Sequence, residues 1–459
     1  MMGNELLAAF ALHGIKSLYE EDLPLYNLLE QEYRRQMSVL TMVAASSIAA
    51  PSTLVCEGMV TSNVTTEGYP KARFHAGCEV IDEIEQMAIE RAKEVFHARY
   101  VNVQPHSGTS ANEIVLFSLL KPGDTIMGLE LNSGGHLTHG ARASISGRYF
   151  NSIGYGLDKD GFIDYDQVYS LASRYRPRLI ICGASAYPRA IDFKRFREIA
   201  DVVGAFLLAD ISHIAGLVGA GEHPSPIDYA HFTTTSTYKQ LYGPRGGLIL
   251  MGKDATNTAP GGKKTLAELI QKAVFPLFQG TPHINTIAAK ARALARVMSP
   301  EFKRLAHRIV TNAKCLAQAL TEQGYRVLTG GTDNHVVLID VLAKGLTGVV
   351  AERALEECLI IVNKNRIPGD KKSAQITSGL RLGTNSLAFR EMGENEMSHC
   401  ADLINRVLST IIVSGETEYS LARQTKEAVQ ADVRELCLRF PIPGYPLLAQ
   451  DAEKGVLDE

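Results

Sequence analysis

The chain has 459 residues, 45% of them hydrophobic, and a formal net charge of −3 at pH 7. This length allows large buried cores and predicts two to three domains. A near-neutral chain without basic blocks argues against binding nucleic acid through a basic face. Seven scattered cysteines without metal-ligand spacing predict reduced thiols. Because no apolar run reaches spanning length and the first residues do not read as a cleavable leader, we expect a cytoplasmic protein without a membrane partner.

Residues 1–40 are predicted to form an N-terminal helical arm. Apolar and charged side chains between Leu28 and Gln36 follow the period of an amphipathic helix. We expect this helix to wrap a partner subunit.

Residues 41–299 predict a large α/β domain whose mainly parallel sheet is covered by helices on both faces. Helical segments such as 193–200 alternate with strand-like ones, and this alternation is typical of parallel sheets. The strand-like segments are 125–129, 178–182, 205–210 and 247–251.

A possible phosphate cradle lies at Ser107, Gly108 and Thr109, between an apolar segment and a predicted buried helix. Hydroxyl groups, a glycine and free N–H groups at a helix start form an anion site. The motif is weak by itself, because serine and threonine are also ordinary helix caps. Further along, His136 and His139 are spaced like a metal-binding pair. No carboxylate cluster accompanies them in the sequence, so we expect no metal site.

Asp210 and Lys239 point most directly to a chemistry. Asp210 ends a short buried strand, so its carboxylate is expected in the crevice where α/β sheets bind ligands. Lys239 lies between a hydroxyl-rich strand end and the glycines of 243–247, where an amine can lose its proton and attack a carbonyl. Pyridoxal phosphate needs both groups, a lysine amine and a carboxylate on its pyridine nitrogen. The alternative for Asp210 is an ordinary cap of the following turn.

Residues 300–413 predict a smaller α+β domain. Helices are expected at 301–324 and 349–359 and a strand at 335–341, with Arg381 returning to the ligand cleft. Residues 414–459 form an extension, predicted as an amphipathic helix over 421–438 and a proline-rich turn, for which a packed tail is expected.

A series of motifs, in order along residues 40–408, resembles the serine hydroxymethyltransferase family. The similar segments are 67–70, 77–79, 102–108, 134–140, 183–189, 213–217, 243–247, 331–335, 362–365 and 377–384. The resemblance implies a pyridoxal-phosphate enzyme of fold type I, a homodimer or dimer of dimers with shared active sites. It also implies tetrahydrofolate as co-substrate and a small amino acid as substrate.

The resemblance implies a role for individual residues. Lys239 would bind the cofactor, Asp210 would hold its pyridine nitrogen, and His136 would stack on its ring. Ser185 and His213 would lie near the phenolic oxygen and the substrate. The cofactor phosphate would be bound by Ser107, Gly108 and Thr109, joined across a subunit boundary by the loop at Gly280 and Thr281.

The remaining implied roles concern the substrates. Arg381 would bind the amino-acid carboxylate, for which a planar guanidinium is well matched. Glu67 would reach in from the neighbouring subunit as an acid/base, with His75 and Thr65 beside it. The folate site would be lined by Leu131, Leu137 and Asn365, with Phe74 as a further candidate. The predicted catalytic residues are Lys239, Glu67, His136, His213 and Tyr238.

The chain departs from the family pattern around the substrate rather than around the cofactor. Histidine is replaced by Tyr238 and Asn285, tyrosine by Thr65 and His75, serine by Ala45 and glycine by Thr281, while Phe74 keeps only an aromatic ring. Smaller side chains at Ala45 and Thr65 favour room for a substituent on the α-carbon, as in alanine or 2-methylserine. The same departures leave open a folate-independent β-hydroxy-amino-acid aldolase or threonine transaldolase. A catalytically silent homologue that acts as a binding partner is the alternative from another class.

Overall fold

The central element of the computed structural model, which describes residues 5–447, is a seven-stranded sheet. The strands along the chain are β1 (Leu40–Thr41), β2 (Gly68–Tyr69), β3 (Ala72–Arg73), β4 (Tyr100–Asn102), β5 (Thr125–Leu129), β6 (Asn151–Tyr155), β7 (Leu179–Gly183), β8 (Phe206–Asp210), β9 (Phe232–Ser236), β10 (Gly247–Met251), β11 (Arg326–Val327), β12 (Val336–Asp340), β13 (Ile360–Ile361), β14 (Asn363–Asn365), β15 (Gly379–Gly383), β16 (Ile412–Val413) and β17 (Tyr419–Ser420).

Helices cover this sheet and form the arm and the C-terminal parts. They are α1 (Glu5–Glu21), α2 (Leu23–Met37), α3 (Pro51–Glu57), α4 (Glu79–Phe96), α5 (Gly108–Leu119), α6 (Ile145–Tyr149), α7 (Tyr165–Tyr175), α8 (Phe193–Val203), α9 (Ala215–Ala220), α10 (Leu266–Lys272), α11 (Ile284–Val297), α12 (Pro300–Glu322), α13 (Gly348–Glu357), α14 (Asn385–Phe389), α15 (Glu394–Leu408) and α16 (Arg423–Arg439). No helix within residues 5–447 combines the length and the apolar character needed to cross a bilayer.

The large sheet has the strand order β4-β10-β9-β8-β7-β5-β6. Strands β5 to β9 pair in parallel, whereas β10 is antiparallel to both β4 and β9. The reversal follows from the short connection between β9 and β10, because a turn of that length cannot carry the chain back for a parallel crossover. The prediction of an α/β fold with a mainly parallel sheet is confirmed.

Both faces of the sheet are buried, as parallel sheets require. Along β8, Leu207 and Ala209 belong to one apolar cluster and Leu208 to a second cluster on the other face. Side chains alternate between faces along a strand, so both clusters are built from the same short apolar run. Asp210, the last residue of β8, instead lines the crevice at the end of the strand.

A second, antiparallel sheet follows, with the order β11-β12-β15-β14. The predicted helix at 301–324 is α12, and it spans two cores: Leu305 packs in the first and Leu316 in the cluster around the second sheet. The arm's end also joins this second core, because β1 pairs in parallel with β13. The predicted helix at 421–438 is α16, while residues 448–459 of the predicted extension lie outside the described residues.

Candidate active site

A cavity of about 190 Å³ lies at the carboxyl end of the large sheet, beside the connection between β9 and β10. Loops that follow β5, β7, β8 and β9 meet there, together with the start of α5, as expected for a ligand crevice in an α/β sheet. Its walls are formed by Ser107, Gly108, Thr109, His136, Ala184, Ser185, Asp210, Ser212, His213, Ser236, Tyr238, Lys239, Arg245 and Gly246.

Lys239 lies in the tight turn between β9 and β10. The Thr237 N–H donates to Gly246 O (3.0 Å) and the Gly243 N–H donates to Thr237 O (3.0 Å), so the turn closes around the lysine. Lys239 is only 6% exposed. Burial lowers its pKa from 10.5 to about 8, despite the opposing effect of Asp210. An amine with this pKa is partly neutral near physiological pH and can act as a nucleophile.

Asp210 is held as a carboxylate by three donors. Its Oδ2 accepts from Asn112 Nδ2 (2.8 Å) and His139 Nε2 (3.1 Å), and its Oδ1 accepts from the Ser212 N–H (3.0 Å). Burial alone would raise its pKa, but the hydrogen bond and charge of His139 lower it below the ordinary value. Thr234 Oγ1 donates in turn to Asn112 Oδ1 (2.5 Å), which fixes the amide orientation.

The residues predicted as an anion cradle, 107–109, lie at the start of α5 and line the cavity. Ser107 caps the helix by accepting from the Ser110 N–H (3.0 Å), and the next residue is Gly108. A Cβ atom at Gly108 would lie 3.2 Å from Ser236 Cβ, so the backbone closely approaches the end of β9. Among the described residues, the buried Ser236 Oγ has no hydrogen-bond partner. Helix N–H groups and a free hydroxyl are the donors that a phosphate group requires.

Two histidines, the partly buried His136 and the buried His213, line the cavity in their neutral form. Burial lowers the pKa of His136 to about 4, and its Nδ1 lies 2.8 Å from Thr138 Oγ1. Burial, assisted by the charges of Lys239 and Arg381, lowers the pKa of His213 well below its ordinary value. His213 stacks on His335 with ring centroids 5.7 Å apart. Within the described chain, His213 Nδ1 has no hydrogen-bond partner.

Arg381 projects from the centre of the second sheet toward the first. Its NH1 donates to Ser185 O (2.6 Å) and its Nε donates to Asn363 Oδ1 (3.0 Å). Burial lowers its pKa to about 10, which still leaves it charged near neutral pH. A guanidinium has five N–H bonds, so the two hydrogen bonds orient it and leave further donors for a carboxylate.

Six predicted residues form a separate, more exposed group that does not line the Lys239 cavity of the same chain. Glu67 Oε2 lies 3.4 Å from His75 Nε2, and a Cβ atom at Gly280 would lie 3.4 Å from Glu67 Oε1. Phe74 is 74% exposed and packs edge-on to Phe275. The six are Thr65, Glu67, Phe74, His75, Gly280 and Thr281.

A buried ionic network supports the Glu67 loop from below. Arg73 donates to Glu85 Oε2 (2.6 Å) and to the carbonyl groups of Thr66 (3.0 Å) and Gly68 (3.1 Å), which flank Glu67. Gln104 Nε2 also donates to Gly68 O (2.9 Å). The backbone around Glu67 is therefore fixed while its carboxylate faces outward.

Of the remaining predicted residues, only Tyr238 lines the cavity. Leu131 and Leu137 are each 48% exposed on short helical turns after β5. Asn365 ends β14 and donates to Arg366 O (2.5 Å). Tyr238 lies in the cavity wall with the Arg245 guanidinium 3.8 Å from its ring centroid. Ala45 is not among the residues that line the cavity.

In the fold, one carboxylate lies beside His136 and His139, although none is near them in the sequence. Ligand atoms of His136, His139 and Asp210 lie within 4.8 Å of one another, because the folded chain brings the end of β8 beside the two histidines. His139 Nε2 already donates to Asp210 within this group. Sequence reasoning also missed Asn112, whose signal, a polar residue on an otherwise apolar face of α5, is weak.

The donors and acceptors around the cavity fit pyridoxal phosphate. The cradle and the free Ser236 hydroxyl suit the phosphate, the ionised Asp210 suits a protonated pyridine nitrogen, and the amine of Lys239 suits the aldehyde. His213 Nδ1 is a buried polar atom that the phenolic oxygen would satisfy.

The comparison with known proteins decides the family. The sequence model described as serine hydroxymethyltransferase matches residues 18–404. The chain belongs to the serine hydroxymethyltransferase family. Members of this family are pyridoxal-phosphate-dependent transferases of fold type I, in agreement with the two sheets described above.

Curated serine hydroxymethyltransferases align with nearly the whole chain. The enzyme of Wolbachia sp. subsp. Drosophila simulans (strain wRi) is 46% identical over 427 residues, 93% of this chain and 97% of the relative. The probable enzyme of Rickettsia bellii (strain RML369-C) is 46% identical over 425 residues, which cover 92% of this chain and 98% of the relative. The enzyme of Rickettsia canadensis (strain McKiel) is 46% identical over 429 residues, which cover 93% of this chain and 99% of the relative.

Proposed function

We propose that this protein is a hydroxymethyltransferase that moves a one-carbon unit between a small amino acid and tetrahydrofolate. Serine and glycine are the proposed amino acids, and pyridoxal phosphate is the proposed cofactor. The observation that carries the proposal is the buried Lys239 amine, with its pKa lowered to about 8, in one cavity with the ionised Asp210 and the cradle at Ser107. These groups serve one cofactor, and the family match supports the reaction.

Lys239, Asp210 and the cradle residues would hold the cofactor. Ser107, Gly108 and Thr109 would donate to the phosphate, and His136 would lie against the ring. When bound, pyridoxal phosphate withdraws electrons from the amino-acid α-carbon. The ionised Asp210 maintains that property by keeping a proton on the ring nitrogen.

Arg381 would bind the carboxylate of the amino acid. The two hydrogen bonds to Ser185 and Asn363 hold its guanidinium in place before the substrate arrives, which reduces the entropy lost on binding. Neutral His213 lines the Lys239 cavity, where it can accept or donate one hydrogen bond without adding charge.

Glu67 is proposed to act in the cavity of a partner subunit. The outward-facing carboxylate, fixed from behind by Arg73, supports this role because it does not line the cavity of its own chain. A homodimer or dimer of dimers would bring Glu67, His75, Thr65 and the loop at Gly280 and Thr281 to the neighbouring site. Leu131, Leu137, Asn365 and Phe74 are proposed to contact folate.

A second candidate is a folate-independent β-hydroxy-amino-acid aldolase or transaldolase. It is favoured by Tyr238, whose aromatic ring lies in the cavity wall and is held by Arg245 at 3.8 Å. An α-substituted amino acid such as 2-methylserine or alanine is a further proposed substrate, for which the smaller side chains at Ala45 and Thr65 are the support. The complete set of cofactor-binding groups argues against a catalytically silent homologue.

Steady-state assays with and without tetrahydrofolate separate these functions. Cleavage of serine that depends on added tetrahydrofolate is expected, with the Lys239→Ala variant inactive and the exposed-surface variant Lys303→Ala unchanged. Equal rates of threonine cleavage with and without the folate would favour the aldolase. Exchange of the α-proton of glycine but not of D- or L-alanine would contradict the use of α-substituted substrates.

A further inference from the structure

A second buried lysine lies behind the cavity and has no part in the proposed chemistry. Lys290, on α11, is 2% exposed. Its Nζ donates to the carbonyl oxygens of Val103 (2.6 Å), Gly247 (3.0 Å) and Pro105 (3.1 Å). All three hydrogens of the ammonium group are therefore used on backbone carbonyls.

Burying this ammonium costs free energy, because its hydrogen-bond partners are carbonyl oxygens rather than carboxylates. Burial lowers the pKa of Lys290 to about 7, with Glu85 opposing the effect. The three acceptors favour the charged form, since a neutral amine has only two hydrogens to donate. A methionine or leucine would fill the same space but would leave the three carbonyl groups without this donor, so the ammonium does more than pack.

The three carbonyl groups belong to the two segments that shape the anion cradle. Pro105 is two residues before Ser107, and the Gly247 N–H donates to Pro105 O (2.9 Å). A Cβ atom at Gly247 would lie 2.3 Å from Ser107 O, so the segments touch. At Gly246, which lines the cavity, a Cβ atom would lie 2.3 Å from Lys290 Cε. Lys290 thus fits only because that position is glycine.

We propose that Lys290 is a positioning residue for the phosphate of the cofactor. It fastens the segment before Ser107 to the segment at Gly246 and Gly247, and it adds a buried positive charge next to the cradle. The proposal rests on the pyridoxal-phosphate site described above. Lys290 would strengthen the binding of pyridoxal phosphate but not that of pyridoxal, which has the same ring and aldehyde but no phosphate.

Equilibrium titration of the full-length apoprotein with pyridoxal phosphate and with pyridoxal tests the proposal. In Lys290→Met, the dissociation constant of pyridoxal phosphate is expected to rise about tenfold, whereas that of pyridoxal changes less than about twofold. Lys303→Met, which removes an exposed lysine from α12, is the matched control and is expected to match the wild type. Cofactor absorbance serves as the readout, so no turnover is required.

A structural role alone would weaken both ligands equally, and that result, or no change in either, would overturn the proposal. If Lys290→Met does not fold, Lys290→Gln is titrated instead, because its amide still donates two hydrogen bonds but carries no charge. The same selective loss is then expected. A wild-type protein that binds neither ligand would overturn the proposed cofactor itself, whereas tight wild-type binding with an unchanged ratio in the variants would overturn only the role of Lys290.

Discussion

Lys239 and Asp210 show how burial gives two ordinary side chains opposite protonation states. Burial lowers the pKa of the amine to about 8, while His139 and the Ser212 N–H keep the carboxyl group ionised. A neutral amine is thus available in the same cavity as an ionised carboxylate.

The lowered pKa predicts how cofactor capture depends on pH. Below pH 8 the neutral fraction of the Lys239 amine falls about tenfold per pH unit, so the rate of pyridoxal-phosphate capture by the apoprotein is expected to rise by that factor and to level off above pH 8. Stopped-flow absorbance from pH 6 to 9.5 measures the rate. Butylamine is the control, because its rate should continue to rise over this range. A flat profile for the protein would contradict the lowered pKa.

Substituting Asp210 by asparagine removes the charge but keeps the shape. We expect Asp210→Asn to retain bound cofactor and to lose at least about 100-fold in kcat, because the ring nitrogen loses the partner of its proton. Asp166→Asn, at a position 96% exposed, is the control. Activity within about threefold of the wild type, normalised to bound cofactor, would show that Asp210 does not hold the nitrogen.

Only part of this residue-level arrangement could be predicted from sequence. Asp210 and Lys239 were predicted because each follows a recognisable strand and faces the crevice. The contacts of Asp210 with Asn112 and His139 were not, since they join residues 98 and 71 positions apart. Nothing local in the sequence indicates such a pairing.

Among the elements, the C-terminal helix and tail connect the arm to the body of the protein. Arg390, 2% exposed, donates to Gln36 O (2.8 Å) and Met37 O (2.9 Å) at the end of α2 and to Phe440 O (2.9 Å) after α16. Tyr445 donates to Ala49 O (2.7 Å) in the segment before α3. The expectation of a packed tail agrees with these contacts.

Removing the Arg390 guanidinium is expected to destabilise this connection. Arg390→Met should lower the free energy of unfolding by about 3 kcal/mol, because several buried carbonyl groups lose their donor. Urea denaturation measures the loss, and the exposed Arg434→Met is the control. A loss below about 0.5 kcal/mol would mean that other contacts hold the tail.

Helix boundaries could be predicted from the sequence, whereas pairing between distant strands could not. The helices α12, α13 and α16 were predicted within a few residues because their apolar periodicity is strong. The pairing of β1 with β13 was not predicted, since two-residue strands leave no periodic signal and lie 320 positions apart.

For the whole molecule, the sheets and helices leave an exposed apolar arm and an exposed Glu67 group. Leu6, Leu12 and Leu28 are each more than 60% exposed on α1 and α2. We propose that a partner subunit covers the arm and receives Glu67. The division into 1–40, 41–299, 300–413 and 414–459 remains our proposal for the domains, with α12 packing against both cores.

A shared site predicts complementation between two inactive variants. Lys239→Ala and Glu67→Gln damage different halves of each site, so a mixed dimer contains one intact site. Refolding a one-to-one mixture is expected to restore about a quarter of the wild-type activity, because half of the dimers are mixed and each has one site of two. Lys239→Ala mixed with a Lys239→Ala, Glu67→Gln double variant is the control. Activity that stays at the level of the separate variants would contradict sharing.

The most direct test of the central claim is to locate the covalently bound cofactor. Borohydride reduction of the purified yellow protein, followed by mass spectrometry of its peptides, is expected to find the reduced pyridoxyl phosphate on Lys239. A protein that remains colourless after incubation with pyridoxal phosphate, or a label on Lys290 or another lysine instead of Lys239, would contradict the account.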